Sequence, residues 1–208
     1  MTDHLPTDAE LWARAVDSEP EAFGTLFDRH ARAVYNHCFR RTSDWSMAED
    51  LTSVVFLESW RRRDDVRIAR ETALPWFLGV ANNVLRNARR SVRRHQAALA
   101  RVPPALPEPD PADDVGDRID DERAMRRVTE LLRRLPTADR DVIELCLWDG
   151  LSYEDAATTL DVPVGTVRSR LSRARARLRA MEAREPSASD GHRRGDTSTA
   201  SRTRKGTS

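Results

Sequence analysis

Six arginines stand between positions 168 and 179, and no acidic residue interrupts the stretch from Val162 to Met181. A guanidinium is a planar fork of donors that grips phosphate oxygens and guanine edges, so such a run suits nucleic acid. Placed on a helix turning about 100° per residue, the segment sorts itself. Val167, Leu171, Ala174 and Leu178 fall in one arc, while Ser169, Ser172 and Ala176 lie opposite, flanked by Arg168 and Arg173. Small outward residues let a helix sink into the major groove, and the flanking arginines reach base edges and phosphates. An ordinary solvated helix mixes charge signs on its outer face. This one does not, which favours duplex DNA as its ligand.

A second basic constellation holds Arg86, Arg89, Arg90, Arg93 and Arg94 at helical spacing, with no acid between Glu71 and Glu108. Asn82, Asn83 and Asn87 share that helix and Trp76 and Phe77 open it. Amides, arginines and aromatics beside a loop can stack bases, bind their edges and hold phosphates, as a single-stranded DNA surface must. A basic helix touching duplex backbone, with Trp76 in the core, fits the same composition equally well. A third stretch, Ala48–Trp60, mixes an apolar stripe with Asp50, Glu58 and Phe56. Taken alone it reads as a core helix with a solvated edge.

Catalysis finds no support in the residues. There is no Gly-rich phosphate loop, and neither Cys38 nor Cys146 has a second Cys or a His at metal-ligand spacing. Both read as core thiols of a reducing cytoplasm. The five histidines are scattered; His30 and His37, seven apart on one helix face, read as structural. No signal peptide or membrane-spanning run is visible. The expectation is a soluble, cytoplasmic chain, monomeric when free of partners, with no cofactor, no metal and no membrane insertion. A net charge of +1 hides the uneven distribution of 35 basic and 34 acidic residues.

The elements that must position these groups are helices. Leu11, Trp12, Ala15 and Val16 recur at helical spacing, as do Phe23, Leu26, Phe27 and His30, continued by Val34 and Cys38. A helix is expected from Glu49 to Trp60, a polar loop over 61–73, and a long helix from about Trp76 to Arg94 with Pro75 in its first turn. Five prolines between Pro103 and Pro111, followed by an acidic run to Glu122, mark a flexible linker. Beyond it come helices over Asp121–Leu135 and Ala138–Trp148, a left-handed cap at Gly150, and a capping box at Ser152. A short helix to Leu160, a turn at Asp161–Pro163 and a last helix over Val164–Met181 complete a helix-turn-helix. The fold class is therefore all-α: two small helical domains, 8–97 and 120–182, joined by an acidic Pro-rich linker over 98–119. A polar tail, 183–208, follows.

Three stretches carry a family resemblance. AEDLTSVVFLESW resembles the polymerase-binding helix (region 2.2) of sigma factors, and PWFLGVANNVLRNARR their promoter-melting helix (regions 2.3 and 2.4). The segment from Leu135 to Arg179 is similar to their region 4 throughout, with VPVGTVRSRLSRARARL close to a family signature. With no segment for the additional promoter-contacting domain of larger sigma factors, the chain resembles the extracytoplasmic-function (ECF) group. The resemblance implies an alternative sigma factor that binds core RNA polymerase and directs promoter recognition, melting and initiation. It places Asp50, Phe56, Leu57 and Trp60 on the polymerase clamp. Arg67, Ile68, Asn83, Arg86 and Asn87 would take the minus-ten element as a single strand, and Thr166, Arg168, Ser169, Ser172 and Arg173 the minus-thirty-five element as duplex. It further implies an anti-sigma factor as partner. Two rivals remain at this stage: a plain helix-turn-helix regulator, which leaves the 76–94 helix without a purpose, and a sigma-like decoy that binds a regulatory partner. The decoy would not need its six arginines.

Overall fold

The computed structural model describes residues 5–68, 71–99 and 116–183. Within them lie eight α-helices and no strand: α1 (Asp8–Val16), α2 (Pro20–Thr42), α3 (Trp45–Arg61), α4 (Leu74–Leu99), α5 (Gly116–Arg133), α6 (Thr137–Ile143), α7 (Tyr153–Leu160) and α8 (Val164–Glu182). The all-helical architecture follows the periodicity. Local chemistry sets the ends. Thr7 and Glu10 form a reciprocal capping box ahead of α1, with the Thr7 N–H 2.7 Å from the Glu10 carboxylate. Pro20 opens α2, Ser43 closes it in the left-handed region at φ 56°, and Asp44 caps α3 through the Met47 N–H at 2.9 Å.

Several boundaries differ from expectation. Helix α3 starts four residues earlier than Glu49, and α4 runs from Leu74 to Leu99. The expected 61–73 loop contains a short 3₁₀ turn over Arg63–Asp65. Helix α5 begins at Gly116, inside the segment expected to be linker. Its opening acids, Asp117, Asp120, Asp121 and Glu122, suit the positive end of a helix dipole as well as they suit an unfolded chain. The remainder of that linker, 100–115, and the tail from 184 lie outside the described residues. Beyond α6 the chain widens into a π-helical stretch over Glu144–Trp148 where a continuous helix was expected.

The first bundle, α1–α4, encloses Trp12, Leu26, Val34, Val55, Phe77 and Leu85, each 2% exposed or less. Burying a side chain of this size contributes about 1.5–3 kcal/mol. The second bundle, α5–α8, closes over Leu132, Val142, Leu145, Val167 and Leu171. The two are not separate bodies: Leu78 of α4 lies in the second core, and Met125 of α5 packs on the first.

Asp8, buried at the start of α1, ties the loop back to the bundle. Its carboxylate accepts from the Ala73 N–H (2.8 Å), from Arg29 (2.9 Å) and from His30 Nε2 (2.6 Å). Burial pushes this carboxyl up, but the Ala73 N–H, Arg29 and His30 together outweigh it and hold it below the ordinary aspartate value. A depressed carboxylate stabilises the fold above its unfolded pKa, and that contribution disappears as pH falls through the folded pKa. Urea unfolding should therefore show stability falling below about pH 4. Asp8→Asn should flatten that acid limb and cost about 2 kcal/mol at pH 7.

Candidate nucleic-acid interface

Helix α8 is oriented by its buried stripe. Val167 and Ala174 have no exposed surface and Leu171 has 2%, while Leu178 is half-buried. Asp161 takes the left-handed conformation at φ 53°, which lets the chain turn from α7 into α8 before Pro163. Arg168, Ser169, Ser172 and Arg173 consequently face solvent on one side, with Thr166 half-buried at the helix start. Two contacts discipline that face. The Arg168 guanidinium lies 5.9 Å from the Tyr153 ring centroid. Asp139, 3% exposed, pairs with Arg177 and lies 3.7 Å from Arg173. The arginine run thus has its counter-charge on α6, which a reading of α8 alone could not reveal.

Four of the five residues expected on the second surface meet in one cavity. Arg67, Ile68, Asn83 and Arg86, drawn from the loop and from α4, line a space of about 550 Å³. Arg86 donates to the Asn83 side-chain oxygen (3.1 Å) and to the Asn82 carbonyl (3.2 Å), so the pair is held as a unit. Trp76 also lines this cavity, and its indole N–H, although buried, has no hydrogen-bond acceptor. The Arg62 guanidinium lies 5.8 Å from the Trp76 ring. The sequence left Trp76 open between core and stacking surface; its missing acceptor is the signal that only coordinates supply. The facing wall is the end of α7, Thr158–Asp161, and Thr159 Oγ1 donates to the Pro75 carbonyl at 3.1 Å. Asn87 is not in this cavity. It lies on a neighbouring groove between α3 and α4, with Val54 and Glu58.

The third surface needs correction. Phe56, expected to face a partner, is 5% exposed and packs against Phe27 and Phe77, with centroids at 4.8 and 4.9 Å. The inner face of α3 is Ala48, Leu51, Thr52, Val55, Phe56 and Ser59. Thr52 and Ser59 can lie inward because their hydroxyls donate to carbonyls one turn back, at 2.7 and 2.8 Å. Trp60 is half-buried, against Phe23 and under Arg63 at 3.9 Å. Asp50 and Leu57 are exposed as expected, and Met47 (40%) and Val54 (41%) complete an outward stripe that the sequence reading passed over. Its spacing of i, i+3, i+7, i+10 was legible, but polar neighbours obscured which of two apolar faces pointed out.

The sigma-70 region 2 model matches residues 26–95, and the sigma-70 region 4 model matches 125–178. The chain is 34% identical over 173 residues to the ECF RNA polymerase sigma factor SigK of Mycobacterium tuberculosis (strain H37Rv), spanning 81% of this chain and 90% of the relative. The chain belongs to the ECF RNA polymerase sigma factors. This sigma factor is also 33% identical over 140 residues to the sigma factor HrpL of Pseudomonas syringae pv. syringae, covering 67% of the chain and 76% of that relative. Among solved structures it resembles CnrH in complex with the cytosolic domain of CnrY, with TM-score 0.65 and 25% identity over 86% of this chain and 99% of that one. RpoE of Bartonella quintana, solved with the anti-sigma factor NepR, shares the fold at TM-score 0.57 and 23% identity, covering 79% of this chain and 98% of that one. Among the described residues no His/Cys/Asp/Glu cluster could hold a metal, and no helix is long and apolar enough to cross a membrane.

Asp139 provides a check on the arrangement of α8. Asp139→Ala removes the buried counter-charge of two arginines, and thermal unfolding should report a loss of about 1–2 kcal/mol.

Proposed function

We propose a division of labour over three surfaces of this sigma factor, which directs RNA polymerase to promoters and starts transcription there. Region 2, residues 8–97, docks on core polymerase and captures the minus-ten element. Region 4, residues 120–182 with the added first turn of α5, reads the minus-thirty-five element as duplex through Thr166, Arg168, Ser169, Ser172 and Arg173. Polymerase docking uses the α3 face of Asp50 and Leu57, joined by Met47 and Val54, with Phe56 acting from beneath and Trp60 at the edge.

One observation carries the minus-ten assignment: Arg67, Ile68, Asn83 and Arg86 line one cavity together with Trp76. A flipped base offers an aromatic face and edge groups that Trp76, Asn83 and the arginines of that cavity can meet. Flipping costs a few kcal/mol, which stacking and edge contacts of about 1–3 kcal/mol each can offset. Asn87, on the adjacent groove, suits the phosphate or base next along the strand.

The catalytic chemistry belongs to the polymerase, and the sigma factor acts with it in the cytoplasm. An anti-sigma factor is the proposed inhibitor, as NepR is the anti-sigma factor solved with the fold-sharing RpoE. The acidic linker, 98–119, is proposed to run through the polymerase's basic channel in place of a nucleic-acid strand; neutralising its acids should then alter early RNA release. A duplex-binding regulator without polymerase is the reading these surfaces disfavour, since it leaves the cavity unused.

The decisive experiment incubates the chain with core polymerase and pooled genomic fragments, and counts heparin-resistant open complexes and transcripts. Transcripts sharing an upstream motif are expected. Arg173→Ala should cost about 1–3 kcal/mol of promoter binding. Leu57→Glu should abolish polymerase co-elution while leaving the melting temperature unchanged, because Leu57 is 48% exposed. Tight duplex binding with no polymerase-dependent transcript would replace this reading with that of a regulator.

A further inference from the structure

Helix α1 contributes no residue to the wall of the cavity assigned to the minus-ten base, yet it holds that wall in place. The helix precedes residues 26–95, the stretch matched by the region 2 family model. Leu11 and Ala15 seat it in the first core by apolar contact. Asp8 and Trp12, four residues apart and so one above the other on the helix, add directed bonds. The Trp12 indole, 2% exposed, donates to the Val66 carbonyl at 2.9 Å and lies 3.3 Å from the Arg63 carbonyl. Asp8, 4% exposed, accepts from the Ala73 N–H at 2.8 Å. Val66 is where the chain leaves the 3₁₀ turn in extended conformation, and the Ala73 carbonyl accepts the Phe77 N–H in the first turn of α4. One turn of α1 thus holds both ends of the loop that carries Arg67, Ile68 and Thr72 into the cavity.

Buried N–H groups need acceptors, which accounts for the presence of these bonds. What matters for DNA is where they end. A loop fixed at one end samples many shapes, and binding has to select one of them. Fixing the second end removes much of that freedom before the ligand arrives. Contacts made by Arg67 and Ile68 then serve discrimination between bases instead of ordering the loop. The anchors are themselves braced. Arg29 and His30 of α2 bind the Asp8 carboxylate at 2.9 and 2.6 Å. The Trp12 ring meets Trp76, which lines the cavity, edge-on with centroids 6.4 Å apart.

We infer that α1 is the positioning element of this cavity: Trp12 and Asp8 grip the two ends of its loop and so set how sharply it distinguishes one minus-ten base from another. The inference rests on the minus-ten reading of the cavity. Neither residue touches DNA in this role; both act through the backbone at Val66 and Ala73. All the bonds of the clamp lie within the first bundle.

Two variants weaken one grip each. Trp12→Phe deletes the indole N–H and keeps an aromatic ring, while Asp8→Asn keeps the shape and removes the charge that gathers Arg29, His30 and the Ala73 N–H. Leu26→Val, in the same core with no bond to the loop, is the control for general loosening. Trypsin cleavage after Arg67 in the free full-length chain, followed by mass spectrometry, reads the loop itself without DNA. It should quicken about three- to tenfold in both variants and keep the unsubstituted rate in Leu26→Val. Holoenzyme formed with core polymerase then reads base choice, on a promoter from the pooled-fragment selection with each minus-ten base varied in turn. The ratio of heparin-resistant complexes between the preferred base and its substitutes should fall about three- to tenfold at the bases held by the loop. Ratios across the minus-thirty-five element should stay unchanged. Unchanged cleavage, unchanged minus-ten ratios, or an equal loss in Leu26→Val overturns the clamp. An unsubstituted holoenzyme with no minus-ten preference would instead overturn the minus-ten reading beneath it, while the cleavage rates still decide whether α1 grips the loop.

Discussion

Helix α4 has to satisfy three environments at once, and the rest of the molecule is arranged around that demand. Phe77 fills the first core, Leu78 the second, and Asn83 and Arg86 line the cavity. A chain with 33% charged and 6% aromatic residues has little apolar material to spend on two independent cores. Sharing one helix between them solves the shortage. The same economy places the proposed minus-ten surface directly on the helix that both bundles need.

Charge in this protein acts by position more than by quantity. The net value is +1, yet Arg168 and Arg173 of α8 face solvent and Arg86 of α4 lines a cavity, while Arg41 of α2 is buried against Asp141 and Glu144. Arg89 shows the strain of this crowding. It is partly desolvated beside Arg140, Arg41 and Arg133, and its pKa is driven down to about 10. Glu144, pushed up by burial and held by Arg41, is the acid that relieves the crowding. Arginine rather than lysine suits such sites, since a lysine under the same desolvation would approach deprotonation near neutral pH.

Much of the fold was legible in residue spacing because the helices carry apolar stripes and several carry a chemical start or stop: Pro75, Gly150, Ser152, Asp161. Helix α8 was legible for the same reason, with buried and exposed positions falling as a wheel predicts. The failures have a common cause. Phe56, the extent of α5 and the Asp139 partner all depend on what lies opposite a residue, and a one-dimensional pattern contains no opposite side. Acids at 117–122 read equally well as a solvated linker or a helix start. Phe56 and Leu57 are adjacent apolar residues, and only the position of α2 decides which one turns inward. The pairing of His37 and Arg40 with Asp149, which joins the two bundles, was invisible for the further reason that its partners are distant in sequence and individually unremarkable.

The π-helical stretch Glu144–Trp148 fits one more residue into a turn than an α-helix would. That surplus residue sets the direction of Asp149, which follows it directly: without it, the carboxylate would be rotated by roughly 100° away from His37 and Arg40. Insertion or loss of a single codon here would re-aim this carboxylate while leaving the residues of α4 and α8 unchanged. The bulge is thus a place where evolution can adjust the pairing between the two halves, separately from what either half recognises.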